Sequence, residues 1–444
     1  MSDAPELPNW SVADWADHLA QGRVGLSEAA QGLIDYTLAA EPQVQALAHF
    51  DPDVIRLQAE HLLAHRGRQE ADLPLWGVPV AVKDTLDTLD YPTEWGWAGA
   101  AGRSPHHDAW AVHRLRQAGA LVWAKTRCTE LGLMTPGPCT NPRAPGRTPG
   151  GSSSGSAAAV AAGLVPAALG TQANGSIIRP ASYCGVVGYK PSRGLISNAG
   201  VLEMAPSLEQ VGVLARTVLD CARVAQVLMG GHPGPDGRAV APRNLVRVAT
   251  QEPPFAPKLM GVHTPWWPQV EPGAQQAFDA LLDELRDVLV CVELPDTVRH
   301  AQDWLHCIFR AEAAQHLQPL SQRAPLSVAT QSLAAAGAEI RAVDYLQARA
   351  RMDRAAAGFD EYFEHFDAIV APATLGPARL GLEHTGDPIM STLWTFAGLP
   401  CLSLPLLQTE DGLPLGVQLI GAPGEDARLL RTAHWLTQRL GAVV

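Results

Sequence analysis

Residues 77–124 set two short apolar runs on either side of a helical stretch, and this pattern constrains the fold more than any other feature of the chain. Gly77-Val78-Pro79-Val80-Ala81-Val82 reads as a buried strand that ends on Lys83-Asp84. Residues 108–119 follow a helical pattern, and Ala120-Leu121-Val122-Trp123-Ala124 reads as a second strand. Strand, helix and strand in short order indicate an α/β fold. Further strands are expected at 167–171 and 184–189. The tail continues the theme with strands at 367–372, 402–405 and 417–421 and a closing helix at 426–440. Residues 10–70 read as helices, with Ser11 and Ser27 as caps, and 215–230 as another.

A chain of 444 residues, 47% of them hydrophobic, is long enough to bury a large core. Its formal net charge of −12 and the absence of a long basic run argue against nucleic acid as a partner. No apolar stretch reaches the ~18 residues of a membrane span, so no membrane partner is expected. Met1 to Trp10 does not read as a signal peptide. The seven cysteines are scattered and form no Cys-x-x-Cys pair, which favours reduced thiols and a cytoplasmic location. No His/Cys/Asp spacing suggests zinc or another metal.

Three segments carry residues fit for chemistry. The only lysines are Lys83, Lys125, Lys190 and Lys258, in a chain that otherwise uses arginine. Lysine, unlike arginine, can lose its proton when buried. Lys83, at the end of an apolar strand, reads either as a buried base or as an anchor for a carboxylate such as Asp84. The second segment, Gly150-Gly151-Ser152-Ser153-Ser154-Gly155-Ser156, contains G-x-S-x-G centred on Ser153. The proline-rich text before it cannot be the strand that a nucleophile elbow requires. No lysine follows Gly155, so a phosphate loop is excluded as well. In the third segment, Asn174-Gly175 allows a sharp turn before Ser176 that can aim backbone N–H groups at one point, the geometry of an oxyanion hole.

In this order, the strand ending on Lys83, the Gly/Ser loop and Gly175-Ser176 with Arg179-Pro180 resemble the amidase signature family. Flanking text agrees: Lys125-Thr126 with Glu130, Cys184-Gly185-Val186-Val187-Gly188 with Lys190-Pro191, and Gln210-Val211-Gly212 before Ala215-Arg216. The resemblance implies a single α/β/α sandwich domain, with a central mixed β-sheet covered by helices on both faces, over residues 1–444. Within it, 10–70 would be N-terminal helices and 77–216 the catalytic core. A variable helical layer facing the substrate would occupy about 232–345, and 365–444 would return to the sheet. The resemblance also implies an amidase that cleaves the C–N bond of a small carboxamide through a serine acyl-enzyme, without cofactor or metal. Ser176 matches the nucleophile, Ser152 the bridging serine after a cis peptide bond, and Lys83 the base. The N–H groups of Ala173, Asn174, Gly175 and Ser176 match the oxyanion hole, and Ser153 a supporting hydroxyl.

The chain departs from the commoner family text at Gln172, Ala173 and Asn174, with Ile178 and a displaced arginine at Arg179. A branch of the family has this pattern. It makes the amidase-like component of the tRNA-linked glutamine amidotransferase a less favoured alternative and questions any role for a carboxylate at 172. A Ser-His-Asp esterase built on Ser153 and a non-catalytic binding member of the family are the other rivals. His106, His107 and His113 read as surface residues rather than triad members, and Cys184 as core. Expected partners are a small-molecule amide and, as an open alternative, a second copy in a homodimer. Trp95, Trp97 and Trp394 are candidates for an aromatic pocket wall.

Overall fold

A computed structural model describes residues 7–64, 73–230 and 244–441. Eleven strands form one mixed sheet: β1 (Leu47–His49), β2 (Pro79–Lys83), β3 (Leu121–Thr126), β4 (Ala167–Gln172), β5 (Val187–Lys190), β6 (Gln210–Ala215), β7 (Leu259–Gly261), β8 (Leu289–Cys291), β9 (Ala368–Pro372), β10 (Cys401–Gln408) and β11 (Pro414–Ile420). Their order is β1-β3-β2-β4-β6-β5-β10-β11-β9-β7-β8. β2 runs parallel to β3 and β4, and β7 runs parallel to β8 and β9, while the other pairings are antiparallel.

Helices cover both faces of the sheet, and the alternation along central strands shows why. Ala368 and Val370 of β9 join one apolar cluster, whereas Ile369 and Ala371 join the other. Val417 and Leu419 of β11 divide from Ile420 in the same way. A strand with apolar residues on both sides must be covered twice. The first cluster takes in α1 (Val12–Ala20), α2 (Leu26–Val44), α3 (Pro52–Ala64), α4 (Trp110–Gln117), α5 (Ser154–Ala161) and α6 (Ile178–Cys184). It continues through α7 (Val218–Leu228), α8 (Leu245–Ala249) and α9 (Pro272–Glu284). The opposite cluster draws on α10 (Ala301–Ser321), α12 (Ala342–Ala355), α13 (Asp360–His365) and α14 (Ile389–Phe396). α11 (Val328–Ala338) packs on α10, and α15 (Asp426–Leu440) closes the first face.

Four expectations need correction. Ser11 caps α1, but Ser27 lies inside α2, whose N-cap is Gly25. Cys184 is buried, but it ends α6 rather than sitting in a strand, because Gly185 takes a left-handed conformation (φ 64°) that stops the helix before β5. β1 interrupts the run of helices expected over 10–70, of which 65–70 lie outside the described residues. β7 and β8 interrupt the helical layer expected over 232–345, of which 232–243 lie outside them.

α5 consists of small residues for a visible reason. Gly155 approaches its neighbours so closely that an added Cβ would lie 2.2 Å from the Ala46 carbonyl oxygen and 2.5 Å from the Arg127 nitrogen. Its own N–H donates to the Arg127 carbonyl at 2.9 Å. Backbone cannot retreat as a side-chain tip can. Gly155→Ala is therefore expected to lower stability by about 1–3 kcal/mol. A thermal or denaturant unfolding midpoint equal to wild type would contradict this account.

Candidate active site

β2 and β4 are parallel neighbours, with Val82 opposite Leu169, so their carboxyl ends open at the same edge of the sheet. That edge receives Lys83 from β2, Thr171 and Gln172 from β4, and the loop that enters α5. Lys83 is fully buried. Its Nζ lies 2.8 Å from Ser152 Oγ and 2.8 Å from Thr171 Oγ1. Burial pulls its pKa down from the usual lysine value, and the nearby Glu209 and Cys128 counteract this in part.

Asp84 does not pair with Lys83. Asp84 opens the turn that follows β2, and its carboxylate meets Lys125 Nζ at 3.1 Å, with both side chains buried. Lys125 also donates to the Leu86 carbonyl and to Thr93 Oγ1. Asp84 further accepts from the N–H groups of Glu94 and Gly96. This anchors a left-handed pair, Trp95 and Gly96, whose Trp95 carbonyl accepts from Leu131 N–H. Leu131 and Gly132 form a second left-handed pair beside Ser152. Asp84→Asn leaves a buried ammonium without its counter-charge, and about 3–5 kcal/mol of stability should be lost. An unchanged unfolding midpoint would exclude that role.

The remaining buried lysine, Lys190, donates to the Pro191 carbonyl and to Gln210 Oε1, and burial pulls its pKa down to about 8. No serine is among its partners.

The Gly151–Ser152 peptide is cis, as the resemblance implies. Arg179, also buried, donates from Nη2 to the Gly151 carbonyl at 2.6 Å and to Thr385 Oγ1 at 3.2 Å. The displaced arginine thus clamps the peptide that carries Ser152. Ser153 is fully buried and is bonded through Oγ to both the carbonyl and the N–H of Thr171. A hydroxyl committed in this way is a brace for the loop. His106, His107 and His113 are exposed on a surface groove and not at this edge of the sheet. The Ser153 triad therefore finds no support in the geometry.

Ser176 sits in the turn between β4 and α6, partly exposed, and its carbonyl accepts from Ser153 N–H at 3.4 Å. The turn is held by Gln172, whose Oε1 accepts from the N–H groups of Ile177 (2.7 Å) and Ile178 (3.0 Å). A neutral amide thus organises the turn at the position where the commoner family text has a carboxylate. Gln172 Nε2 donates to Thr395 Oγ1, which in turn donates to the Asn174 carbonyl. Thr392 Oγ1 of α14 donates to Asn174 Oδ1. Among the described residues, the backbone N–H groups of Ala173, Asn174, Gly175 and Ser176 have no protein acceptor. Four donors gathered in one turn can receive a developing oxyanion.

The amidase family profile matches residues 28–430. The chain belongs to the amidase family. Its members include carbon–nitrogen hydrolases, and this chain is such an enzyme. A glutamyl-tRNA(Gln) amidotransferase component from Oleidesulfovibrio alaskensis is 33% identical, covering 97% of this chain and 97% of that protein. Its counterpart from Anaeromyxobacter sp. is 34% identical, covering 99% and 98%. Among solved structures, the native peptide amidase from Stenotrophomonas maltophilia superposes with a TM-score of 0.81 at 27% identity, covering 98% and 97%. A chain from a vestigial protein complex related to the origins of an s-triazine catabolic enzyme reaches 0.90 at 26%, covering 98% and 99%. The local text around Gln172 set the amidotransferase component back, yet over the whole chain that protein is similar.

Sequence reasoning missed Thr171, Glu209, Thr385, Thr395 and the clamp by Arg179. Thr171 and Glu209 owe their proximity to the antiparallel pairing of Gln172 with Gln210. Trp97 and Trp394 are buried in the apolar clusters, and Arg103 lies 4.3 Å over the Trp95 ring, so none of the three is an open pocket wall. No helix among the described residues is long and apolar enough to cross a membrane.

Proposed function

We propose that this family member hydrolyses a small carboxamide through an acyl-enzyme on Ser176, with Ser152 and Lys83 relaying the proton. The observation that carries this reading is the 2.8 Å contact between a fully buried Lys83 and Ser152 Oγ, with Asp84 committed to Lys125 instead. A lysine desolvated without a carboxylate contact is driven toward its neutral form, which is the form a base requires. Lys83 draws the Ser152 proton, and Ser152 draws that of Ser176. Ser176 attacks the amide carbon while the turn from Ala173 to Ser176 supplies donors for the oxyanion. The relayed proton returns to the leaving amine, and water then cleaves the ester. None of these steps calls for a cofactor.

A fluorophosphonate probe followed by peptide mapping tests the reading. Labelling confined to Ser176, together with ammonia release from primary and aryl amides, is the expected result. Labelling at Ser153 would overturn it.

The similarity to amidotransferase components supports a second reading, in which the same chemistry releases ammonia from glutamine within a transamidating assembly. Activity on simple amides by the purified chain alone favours the first reading. Activity that requires co-purifying partner proteins favours the second.

A further inference from the structure

The turn beside Ser152 is held by a carboxylate that the relay does not use. Thr129 donates its N–H to the Ser152 carbonyl at 3.3 Å. A Cβ built on Gly132 would stand 3.9 Å from Ser152 Oγ, and one built on Gly151 would stand 3.1 Å from the Thr129 methyl carbon. Residues 129–133 therefore bear on both halves of the peptide that carries Ser152. Glu130 lies between these contacts, and its side chain reaches α11. Its carboxylate accepts from Ser327 N–H at 3.1 Å, from Ser327 Oγ at 2.5 Å and from Thr330 Oγ1 at 2.5 Å. Ser327 is the N-cap of α11.

An ionised carboxylate only accepts, and a hydroxyl has one proton. Ser327 and Thr330 therefore both direct their protons to Glu130. Ser327 Oγ is left to accept, from Thr330 N–H and from Thr135 Oγ1 at 2.7 Å. Thr135 closes the turn, because its carbonyl accepts from Glu130 N–H at 2.9 Å. This assignment gives each hydroxyl proton one acceptor, and the charge of Glu130 sets its direction. The turn needs such an anchor. Leu131 is in the left-handed region (φ 53°), which a non-glycine residue keeps only where its neighbours enforce it. One enforcing contact comes from the Asp84 side, through the Trp95 carbonyl and Leu131 N–H. The other comes through Glu130. Within α11 the buried residues are Thr330 and Gly337, so the bonds to Glu130 are a main attachment of its N-terminal turn.

We infer that Glu130 is a positioning residue for the relay: its carboxylate pins the turn that bears on Ser152 to the N-cap of α11, and so keeps Ser152 Oγ in the place the relay requires. This rests on Ser152 being the bridge. The distance at stake is the 2.8 Å from Lys83 Nζ to Ser152 Oγ. A proton passes between groups in hydrogen-bond contact, and displacing a reacting group by about 1 Å can cost about 10²-fold in rate. Arg179 clamps the Gly151 carbonyl and Thr129 holds the Ser152 carbonyl, so Ser152 is gripped through the carbonyls before and after it. Glu130 supports the second grip. Glutamine at this position keeps the shape, but its NH₂ group offers protons where Ser327 and Thr330 offer theirs, so part of the anchor is lost.

The test is the steady-state kinetics of Glu130→Gln and Ser327→Ala, well below their unfolding midpoints, with sites counted by fluorophosphonate labelling taken to completion. The expected result for Glu130→Gln is a loss in kcat per labelled site of roughly tenfold or more, with KM within about twofold of the wild type. The limb of kcat/KM that rises with pH should stay where it is, because Lys83 keeps its burial and its partners. The double variant should lose no more than Glu130→Gln alone, since residues that act through one contact are not additive. A merely structural role would lower the unfolding midpoint and leave kcat per site at the wild-type value, and that result overturns the inference. A raised KM at unchanged kcat, a shifted limb, or losses that multiply in the double variant overturn it as well. Should Glu130→Gln not fold, Ser327→Ala carries the test. A loss in kcat per site of about threefold or more, the lower end of what one hydrogen bond supplies, then supports the inference, and wild-type kcat overturns it. Ser152→Ala separates this inference from the mechanism beneath it. If Ser152→Ala is inactive and Glu130→Gln keeps wild-type kcat per site, only the role of Glu130 falls. An active Ser152→Ala removes the bridge and this inference with it.

Discussion

Ser176→Ala is expected to reduce amide hydrolysis by on the order of 10⁴-fold or more while leaving the unfolding midpoint near that of the wild type. Removing the nucleophile from a serine enzyme leaves only the contribution of binding and the oxyanion donors. The small cost to folding follows from the position of the residue. Ser176 is partly exposed, and its backbone carbonyl accepts from Ser153 N–H, a contact that alanine retains. Gln172 continues to hold the turn through the N–H groups of Ile177 and Ile178. Ser153→Ala provides the contrast. It removes a buried hydroxyl that bonds both main-chain groups of Thr171, so its effect should fall mainly on stability, by about 1–3 kcal/mol. If Ser176→Ala keeps more than about a tenth of wild-type kcat, Ser176 is not the nucleophile, since covalent catalysis supplies far more than that factor.

The sheet edge that holds Lys83 was legible because the strand before it is an unbroken apolar run and lysine is the last residue expected there. Ser152 and Ser176 were legible only together, as text in a family order, because a Gly/Ser loop or an Asn-Gly turn alone has many ordinary uses. The fate of Asp84 was hidden, because it lies in the turn after β2 and its partner Lys125 comes from β3, which pairs beside that strand. Glu209 lay beyond sequence reasoning. It is remote in the chain from Thr171, and only the register of β4 against β6 brings them together. The clamp by Arg179 was hidden in the same way, because its acceptors, Gly151 and Thr385, come from loops that converge only in the fold. β1, β7 and β8 were invisible for another reason, since three residues are too few to reveal a period.

Lys83→Arg separates the two roles a buried lysine can have. An anchor for a carboxylate should tolerate arginine, which keeps the charge. A base should not, because the guanidinium does not give up its proton at any accessible pH and so cannot accept one from Ser152. The geometry already weighs against the anchor, with Asp84 held by Lys125 and the Lys83 nitrogen facing two hydroxyls. Arginine is also bulkier than lysine in a fully buried site, so a loss of activity could reflect overpacking. Lys83→Met supplies the control: it fills a similar volume, carries no charge and should fold. The expected result is that both variants fold and that both lose activity to the same degree, on the order of 10³-fold or more, within the span assigned to general base and nucleophile activation. The pH profile of the wild type gives an independent reading. Burial lowers the Lys83 pKa, and the proposed relay needs the neutral form, so kcat/KM should rise with pH and level off above the pKa of Lys83 in the free enzyme. That limb should lie below the ~10.4 of an exposed lysine. A limb near ~6.5 would instead indicate a histidine. A folded Lys83→Arg enzyme with wild-type turnover refutes the lysine-base mechanism regardless of the profile.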